Sequence, residues 1–370
     1  MKTRAAVLWE SGQDWQIETI DLDPPKANEV LVRIVGAGLC HSEEHHASGD
    51  VPFVAPMIGG HEGAGIVEAV GPAVTSVEIG DHVVLSSIPS CGRCPSCSAG
   101  QHNLCDLGEF IAEGRQLLDH TARHHVRGAD ANIACFLGTF AEHTVVSELS
   151  VIKVPEHLPL EKLCLVGCGV PTGWGSAMYA GGVRSGDDIA VVGVGGLGSS
   201  AVQAARAAGA RFIIGIDPVA WKREKALEFG ATHVAADMVE AKALIDEITW
   251  GRMCQQVVLT MGVGRGDLMG QALDLAGKRG TVVVTNIHRS TEQQITVSML
   301  DLARFEKRIV GCIFGSVNSR KDIPLLLREY ERGALDLDAM VTREYDLEDI
   351  NKGYQDLRDG VNIRGVIRFP

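Results

Sequence analysis

Short apolar or alternating segments dominate residues 1–155, and clusters of Gly, Pro and Asp separate them. Segments of this kind at residues 30–35, 65–69, 82–85 and 143–146 predict β-strands, because alternation places every second side chain on one face. The intervening Gly, Pro and Asp clusters are typical of turns. We therefore expect the N-terminal part of the chain to be rich in β-structure.

From residue 188 onward, apolar runs typical of buried strands alternate with helical patterns. The predicted strands cover residues 189–194, 211–217, 233–236, 257–261, 280–286 and 309–314. The predicted helices cover residues 197–208, 220–229 and 323–331. Alternation of this kind predicts a parallel sheet with helices on both faces, and hence the α/β class. The change of pattern places domain boundaries near residues 170 and 316.

Composition and charge narrow the classes of function. The 370 residues are 45% hydrophobic and 22% charged, which is ordinary for a globular chain of about two domains. The formal net charge of −13 argues against nucleic acid and anionic membranes as partners, because both require a basic face. Residues 163–183 carry no charge, but six glycines and Pro171 predict turns and a helix start instead of a membrane span.

Ten cysteines and the N-terminal sequence bear on the compartment. No secretory signal is recognisable at the N-terminus, so disulfides are not expected. We expect a cytoplasmic protein whose cysteines bind metal or remain free thiols.

A glycine-rich motif, GVGGLG, occupies residues 193–198 between a predicted strand and a predicted helix. Glycines at these positions permit a tight turn, close approach of the backbone to a pyrophosphate, and packing of helix on strand. Asp217 ends the next strand 19 residues after Gly198, where an acid binds the adenosine ribose and repels a 2′-phosphate. The pattern therefore predicts NAD and not NADP. Arg223 is nearby, but its helical position is expected to face solvent.

Four cysteines within 15 residues form the most specific metal-binding pattern: Cys91, Cys94, Cys97 and Cys105. Four thiolates at this spacing can form the closed tetrahedral site of structural zinc. An iron–sulfur cluster is an alternative, although such motifs use a shorter last spacing followed by Pro. Four free thiols would be prone to oxidation, and the acidic chain speaks against a nucleic-acid-binding zinc finger.

Three further potential ligands lie beside glycines or turn residues: Cys40, His61 and Cys168. Two thiolates and one imidazole would leave one position of a zinc ion open, as a catalytic site requires. Spacing alone does not pair Cys168 with Cys40. Each residue taken singly is more often a buried Cys or a hydrogen-bonded core His.

Several segments, in this order, resemble the medium-chain zinc-dependent alcohol dehydrogenases. They are GHEGAGIVEAVG at residues 60–71, the four-cysteine segment, GCGVPTGWG at residues 167–175 and GVGGLG. The resemblance covers essentially the whole chain. It implies a β-rich GroES-like catalytic domain over residues 1–170, with the structural zinc lobe at 91–105. A Rossmann-type doubly wound parallel sheet would follow over residues 171–316, and residues 317–370 would return to the catalytic domain.

The resemblance implies two zinc ions per chain, one of them catalytic. The ligands of the catalytic zinc would be Cys40, His61 and Cys168, with Glu62 behind the metal. Ser42 would take the proton of the substrate hydroxyl, and His45 would pass it toward water.

The resemblance also implies a set of NAD contacts. They are His41, Thr172, Gly193, Gly195, Gly196, Leu197, Gly198, Asp217, Lys222 and Arg364. His41 and Arg364 would face the pyrophosphate, and Thr172 would support the nicotinamide. Asp217 and Lys222 would bind the adenosine ribose.

Some positions depart from the family pattern. Glu43 stands where many members carry Asp beside the ligand histidine, which puts the hydrogen bond to that histidine in doubt. His41 replaces an Arg, so pyrophosphate binding would depend on pH. We interpret His46, His124 and His125 as surface residues, because adjacent histidines are more often solvated than metal-bound.

Two segments are similar to a narrower group, the actinobacterial nicotinoprotein branch of the family. They are GCGVPTGWGSA, which begins at residue 167, and DPVAWKREKALEFGA at residues 217–231. Members of that branch keep NAD bound through turnover and pass electrons to a separate redox acceptor molecule, for which dimethylnitrosoaniline serves artificially.

The function implied is hydride transfer between a primary or aromatic alcohol, or its aldehyde, and NAD. A non-catalytic NAD- and zinc-binding redox sensor on the same fold is the alternative, although it would have no need of Ser42 and His45. A thiol-adduct formaldehyde dehydrogenase would need a basic patch that we cannot identify. The resemblance and the apolar segment at residues 309–314 favour a homodimer or homotetramer.

Overall fold

A computed structural model describes all residues of the chain, 1–370. The β-strands are β1 Lys2–Leu8, β2 Gln16–Leu22, β3 Glu29–Gly38, β4 Met57–Ile58, β5 Gly63–Val70, β6 His82–Leu85, β7 His124–Val126, β8 Ala129–Asp130, β9 Asn132–Ile133, β10 His143–Ser147, β11 Val151–Lys153, β12 Asp188–Val192, β13 Phe212–Ile216, β14 His233–Ala235, β15 Cys254–Leu259, β16 Ala276–Val284, β17 Arg308–Gly311, β18 Val341–Tyr345 and β19 Arg364–Arg368. The α-helices are α1 His41–Ser48, α2 Pro95–Ser98, α3 Leu160–Leu163, α4 Gly169–Gly175, α5 Gly196–Ala207, α6 Ala220–Phe229, α7 Met238–Thr249, α8 Met269–Leu275, α9 Met299–Arg304, α10 Ser319–Glu331, α11 Leu337–Met340 and α12 Ile350–Arg358.

The chain divides into two compact units. Unit 1 comprises Met1–Cys168, Asn318–Leu327 and Leu337–Pro370, and unit 2 comprises Gly169–Val317 and Arg328–Asp336. The first two divisions fall after residues 168 and 317, and the assignment of residues 1–170, 171–316 and 317–370 to domains stays a prediction. The tail is divided, because the end of α10 and the turn that follows it belong to unit 2.

Unit 1 is built on two mixed sheets. The first has the strand order β8-β7-β2-β1-β4-β9, and the second has the order β11-β6-β5-β3-β19-β18, with β10 also paired to β3. Strand β3 is central because its alternating sequence buries Val30, Val32 and Ile34 completely. Its antiparallel partner β5 begins directly after His61 and Glu62, so this sheet positions both side chains.

Unit 2 contains a six-stranded parallel sheet with the order β14-β13-β12-β15-β16-β17. Strand β12 is buried along its whole length, as its apolar sequence predicts. The order of the strands reverses between β12 and β15. Ligands of such sheets bind beyond the carboxyl ends of the strands at this reversal. The predicted fold class, a doubly wound parallel sheet joined to a β-rich domain, is confirmed.

The hydrophobic pattern does not predict β1, β2 or α7. Helix α7 nevertheless has a start signal in the sequence. The side chain of Asp237 accepts hydrogen bonds from the amides of Val239 and Glu240, and the Glu240 carboxylate accepts one from the amide of Ala236. An acidic cap with Glu three residues later is a recognised helix start, and it would have located this helix.

No helix of the structure has the length and apolar character needed to cross a membrane. The uncharged stretch at residues 163–183 forms short pieces of helix instead, which are the end of α3, a 3₁₀ turn at Cys164–Gly167, α4 and a π-helical turn at Ser176–Ala180. This agrees with the turns and helix start that its glycines and Pro171 predict.

Candidate functional site

The four-cysteine lobe brings its sulfur atoms together. The Sγ atoms of Cys91 and Cys97 are 4.0 Å apart, as are those of Cys94 and Cys105. All four sulfurs lie within 4.8 Å of one another, and all four residues are free cysteines. A tetrahedron with zinc–sulfur bonds of about 2.3 Å has edges of about 3.8 Å, so this donor set fits a zinc ion.

Backbone amides in the lobe favour thiolates. The amides of Cys94 and Cys97 donate to the sulfurs of Cys91 and Cys94, at 3.3 and 3.4 Å. Burial opposes ionisation of Cys91, but the amides of Arg93 and Cys94 outweigh it and lower the pKa of its thiol to about 7. Burial raises the pKa of Cys105 to about 12. The set is therefore prepared in part for a metal, whose charge would ionise the remaining thiols.

Cys40, His61 and Cys168 meet in the interior of unit 1, although they are far apart in the sequence. The Cys168 thiol lies within hydrogen-bonding reach of the Cys40 sulfur and of the His61 ring. The hydrogen bond from Cys168, aided by His61, holds the pKa of Cys40 well below its usual range. The same bond and burial raise the pKa of Cys168. Two sulfurs and one imidazole nitrogen thus converge, with Cys40 and His61 buried and Cys168 partly exposed, and this donor set suits zinc.

Glu43 lies behind His61. Its Oε1 accepts a hydrogen bond from Nδ1 of His61 at 2.5 Å and another from the amide of Gly60 at 3.1 Å. Burial disfavours the imidazolium, but the charge of Glu43 and of the nearby sulfurs outweighs it and raises the pKa of His61. The hydrogen bond orients the ring and leaves Nε2 to face a metal. The longer Glu side chain therefore makes the contact that the sequence left in doubt.

Glu62 and Arg364 form a buried ion pair beside this set. Potential ligand atoms of Glu62, Cys40 and His61 all lie within 4.8 Å of one another. Burial raises the pKa of Glu62 to about 6, against the opposing charge of Arg364. The Arg364 guanidinium donates to Glu62 and, at 3.1 Å, to the carbonyl of Leu39. The structure thus places Arg364 on Glu62, and its contact with a pyrophosphate stays a prediction.

Helix α1 carries the predicted proton relay. Cys40 is its N-cap, and the Ser42 hydroxyl lies 3.6 Å from the Cys40 sulfur. His45 is one turn further along and only 2% exposed, and its Nδ1 lies 3.3 Å from Oδ2 of Asp50. The ring of His41 lies 6.0 Å from that of His45. The structure pairs His45 with a carboxylate, and its role in passing a proton toward water stays a prediction. No spacing rule in the sequence identifies Asp50 as its partner.

The glycine-rich loop has the geometry of a dinucleotide site. Gly193 has φ of +93°, and a Cβ on Gly198 would lie 1.9 Å from the carbonyl oxygen of Gly193. Glycine is therefore required at both positions. Open space adjoins Gly195, which caps the 12-residue helix α5 without a side-chain hydrogen bond. This open cradle at a helix N-terminus fits a pyrophosphate.

Asp217 secures the loop from the end of β13. Its Oδ2 accepts from the amide of Val194 and its Oδ1 from the amide of Val219, both at 2.9 Å. Burial lowers the pKa of the neighbouring Lys222, against the charge of Asp217. Arg223 does not simply face solvent as expected, because it donates to the carbonyl of Asp217 at 2.7 Å. A helical side chain of this length can fold back onto the turn before it.

Thr172 lies in helix α4 of unit 2 and is 7% exposed. Its carbonyl accepts the Ser176 hydroxyl at 2.6 Å, which fixes the end of this helix. Its predicted support of the nicotinamide stays a prediction.

The expected surface position of His124 is wrong. His124 is 1% exposed, and its Nε2 lies 3.1 Å from the Thr144 hydroxyl, which itself donates to the carbonyl of Leu137. The ring therefore donates from Nε2. Burial lowers the pKa of His124 to about 3. Strand alternation was an available signal, because it places His124 on the same buried face as Val126.

Comparison with known families gives two matches. Residues 26–156 match the alcohol dehydrogenase GroES-like domain, and residues 196–332 match the zinc-binding dehydrogenase family. The first range contains the four-cysteine lobe, Cys40 and His61. The second contains the glycine-rich loop from Gly196 onward, together with Asp217.

Individual relatives agree over the full length. The chain is 50% identical over 367 residues to the NDMA-dependent alcohol dehydrogenase of Amycolatopsis methanolica, with 99% of each chain covered. It is 48% identical over 370 residues to alcohol dehydrogenase B of Mycobacterium tuberculosis, with 100% of this chain and 99% of that protein covered. The crystal structure of benzyl alcohol dehydrogenase from Acinetobacter calcoaceticus is similar with a TM-score of 0.91 at 30% identity, with 100% of both chains covered.

Proposed function

This chain belongs to the medium-chain, zinc-binding alcohol dehydrogenase family, and we propose that it transfers a hydride between a primary or aromatic alcohol and NAD. The observation that carries the proposal is the convergence of Cys40, His61 and Cys168 in unit 1, with the Ser42 hydroxyl 3.6 Å from the Cys40 sulfur. The non-catalytic sensor gains no support, since relatives near 50% identity over the full chain are named alcohol dehydrogenases.

Cys40, His61 and Cys168 would hold the catalytic zinc, and the four-cysteine lobe would hold a second, structural zinc. When bound, zinc acts as a Lewis acid on the alcohol oxygen, and the nicotinamide ring accepts the hydride. Glu43 fixes the His61 ring, and the Glu62–Arg364 pair balances charge beside the ligands. Burial of the ligands keeps bulk water from the reacting atoms, which strengthens each electrostatic interaction there.

Ser42 and His45 would carry the proton away from the substrate hydroxyl. They lie three residues apart on α1 and therefore share one side of the helix. Ser42 accepts the proton only as it gives up its own, and His45 is the nearby group able to hold one. Asp50 would orient the imidazole through Nδ1, as a carboxylate commonly does for a catalytic histidine.

The glycine-rich loop and Asp217 would bind the pyrophosphate and the adenosine ribose of NAD. Lys222 extends this subsite, and His41, Arg364 and Thr172 are proposed as further cofactor contacts. An acid at position 217 favours NAD over NADP, because its carboxylate repels a 2′-phosphate.

NAD would remain bound through turnover, with electrons leaving to a separate acceptor molecule. The support is the 50% identity to a relative that is named NDMA-dependent.

The similarity to benzyl alcohol dehydrogenase supports aromatic alcohols among the substrates. The ten free cysteines support a reducing, cytoplasmic compartment.

Pairing of two copies would occur at the edge of the parallel sheet in unit 2. Strand β17 has a partner on one side only, and nearby Met299, Leu300 and Ile313 are 70, 69 and 52% exposed. An apolar sheet edge of this kind invites a second chain. Sedimentation should show a dimer or tetramer that Leu300→Glu dissociates, and Val239→Glu, an exposed apolar position on α7, is the control.

Two measurements test the proposal. Protein dialysed exhaustively and then denatured should release close to one NAD(H) per chain. If none is released, NAD exchanges freely and the acceptor hypothesis fails, while the dehydrogenase remains to be tested with added NAD.

Ser42→Ala should lower turnover by about 100-fold or more with zinc and NAD retained, because the proton relay is lost. Ser48→Ala on the same helix is the control, since its hydroxyl bonds only a backbone carbonyl. Unchanged turnover in Ser42→Ala would remove Ser42 from the mechanism.

A further inference from the structure

Asn286 has a buried side-chain amide without a partner in the protein. The residue follows β16, and its backbone amide donates to the carbonyl of Leu259 at the end of β15. Its Nδ2 and Oδ1 are both buried and lack a hydrogen-bond partner. An unpaired buried donor or acceptor destabilises a fold, so both atoms of one amide left unpaired together indicate a ligand.

The segment that carries Asn286 is well anchored. The amide of Gly264, in the loop after β15, donates to the carbonyl of Ile287 at 2.8 Å. A Cβ on Gly264 would lie 2.3 Å from Nε2 of His288, so glycine makes room for this ring. Nε2 of His288 is itself buried and unpartnered. Polar atoms without partners are thus concentrated in residues 286–288, on a segment fixed to its neighbouring loop.

The position of this segment in the sheet limits the part of NAD that it could reach. The glycine-rich loop follows β12, and Asp217 follows β13 on one side of it. Strand β15 lies on the other side of β12, and β16 follows β15. Two strand spacings separate β16 from β12, which corresponds to about 10 Å. With the pyrophosphate at the glycine-rich loop and the adenosine ribose at Asp217, the nicotinamide half extends toward β15 and β16.

We propose that the side-chain amide of Asn286 binds the carboxamide of the nicotinamide ring. Its Nδ2 donates to the carboxamide oxygen, and its Oδ1 accepts from the carboxamide nitrogen. A carboxamide offers one acceptor and one donor side by side, which matches the two unpaired atoms. Adenine could offer a similar pair, but it lies on the β13 side. The inference rests on the proposed function, since it assumes that NAD occupies the glycine-rich loop.

The test measures binding and not turnover. Binding of three ligands to the native protein is measured by exchange with the NAD that it retains: labelled NAD, its 3-acetylpyridine analogue, which lacks the amide N–H groups, and ADP-ribose, which lacks the ring. Asn286→Leu should weaken NAD binding by about tenfold or more, from the loss of two hydrogen bonds. It should affect the analogue less and leave ADP-ribose unchanged. Ile287→Val, at the adjacent and more exposed position, should change none of the three.

Several results would overturn the inference. One is equal NAD affinity in Asn286→Leu and wild type, and another is an equal loss for NAD and ADP-ribose. A raised KM for the alcohol with unchanged NAD affinity would assign the amide to the substrate instead. If Asn286→Leu does not fold, Asn286→Ala is measured with the same ligands. Failure of wild-type protein to bind either NAD or ADP-ribose would overturn the proposed function, which separates that failure from loss of the Asn286 contact alone.

Discussion

The two proposed zinc sites of unit 1 are assembled in opposite ways. The four cysteines of the lobe lie within 15 residues, and two of them, Cys91 and Cys94, remain partly exposed. The other set joins Cys40 to Cys168, 128 positions away in the sequence; Cys40 and His61 are buried, and Cys168 is partly exposed. The lobe is stabilised by its own backbone amides, whereas the buried set depends on side chains: Glu43 and Glu62, which are close in sequence to Cys40 and His61, and the distant Arg364.

The difference shows what each kind of site requires. A closed site with four identical ligands needs only a short loop that turns back on itself. A catalytic site needs an open position, unlike ligands and fixed orientations, so it needs a rigid surrounding fold. Loss of a residue should therefore affect stability at the lobe and turnover at the buried set.

The largest effect is expected from His61→Ala. Loss of this ligand should remove one zinc ion and lower turnover by about 1,000-fold or more, because Lewis-acid stabilisation is worth several kcal/mol. Zinc analysis and turnover on one sample test this. Cys135→Ser is a suitable control, since this thiol is near His61 and Cys40 and burial raises its pKa to about 11. Retention of both zinc ions in His61→Ala would show that the buried set is not a zinc site.

In contrast to His61→Ala, Cys94→Ser should lower stability and leave turnover nearly unchanged. The Cys94 sulfur accepts from the amides of Cys97 and Asp106, so its loss disturbs the whole lobe. We expect one zinc ion fewer and a midpoint of thermal unfolding lower by roughly 6–12 °C, for about 3 kcal/mol in a domain of this size. Turnover per remaining zinc, assayed well below the midpoint, should change little. A loss of turnover as large as in His61→Ala would end the distinction between the two sites.

Glu43→Ala tests the support behind His61. The variant loses the hydrogen bonds to His61 and to the Gly60 amide, and should reduce zinc affinity or turnover by about 10–100-fold. Glu43→Asp, the residue common in the family, is the matched control and should retain most activity. Equal losses in the two variants would mean that side-chain length matters more than the carboxylate.

The smallest expected effect is on the pH dependence of stability, and it concerns His124, a buried histidine that contrasts with His61. Burial lowers the pKa of His124 to about 3, whereas Glu43 and the sulfurs raise that of His61. The unfolded chain protonates His124 below about pH 6.5. Its contribution to stability is therefore complete above that pH and is lost as the pH falls toward 3, by about 1.4 kcal/mol per unit.

The measurement is the free energy of unfolding in urea from pH 7.5 to 4.5, for wild type and His124→Asn. The plot of unfolding free energy against pH should be steeper for wild type than for His124→Asn. The difference should correspond to at most about one proton taken up on unfolding, because only wild type takes up a proton at this position. Parallel curves would show that His124 does not titrate between the two states.

The elements best predicted from the sequence are those with a complete local signal. The predicted ranges for β6 and α6 agree with the structure residue for residue. The glycine-rich loop was recognisable because its strand, turn, helix and acidic residue follow one another in the chain. Strands β1 and β2 and helix α7 were not predicted, although the cap at Asp237 marks α7. The expectation that adjacent histidines are solvated failed for His124, because strand alternation decides burial there.

The amino-acid sequence specified the chemistry of this protein: four close thiols, two distant cysteines and a histidine, and a glycine-rich turn followed by an acid. Local spacing is enough for the lobe and the loop, because their atoms are neighbours along the chain. The tertiary structure decided which distant groups meet: Cys168 with Cys40, and Arg364 with Glu62. Those pairings depend on the register and order of strands that lie far apart in sequence, and no local pattern encodes them.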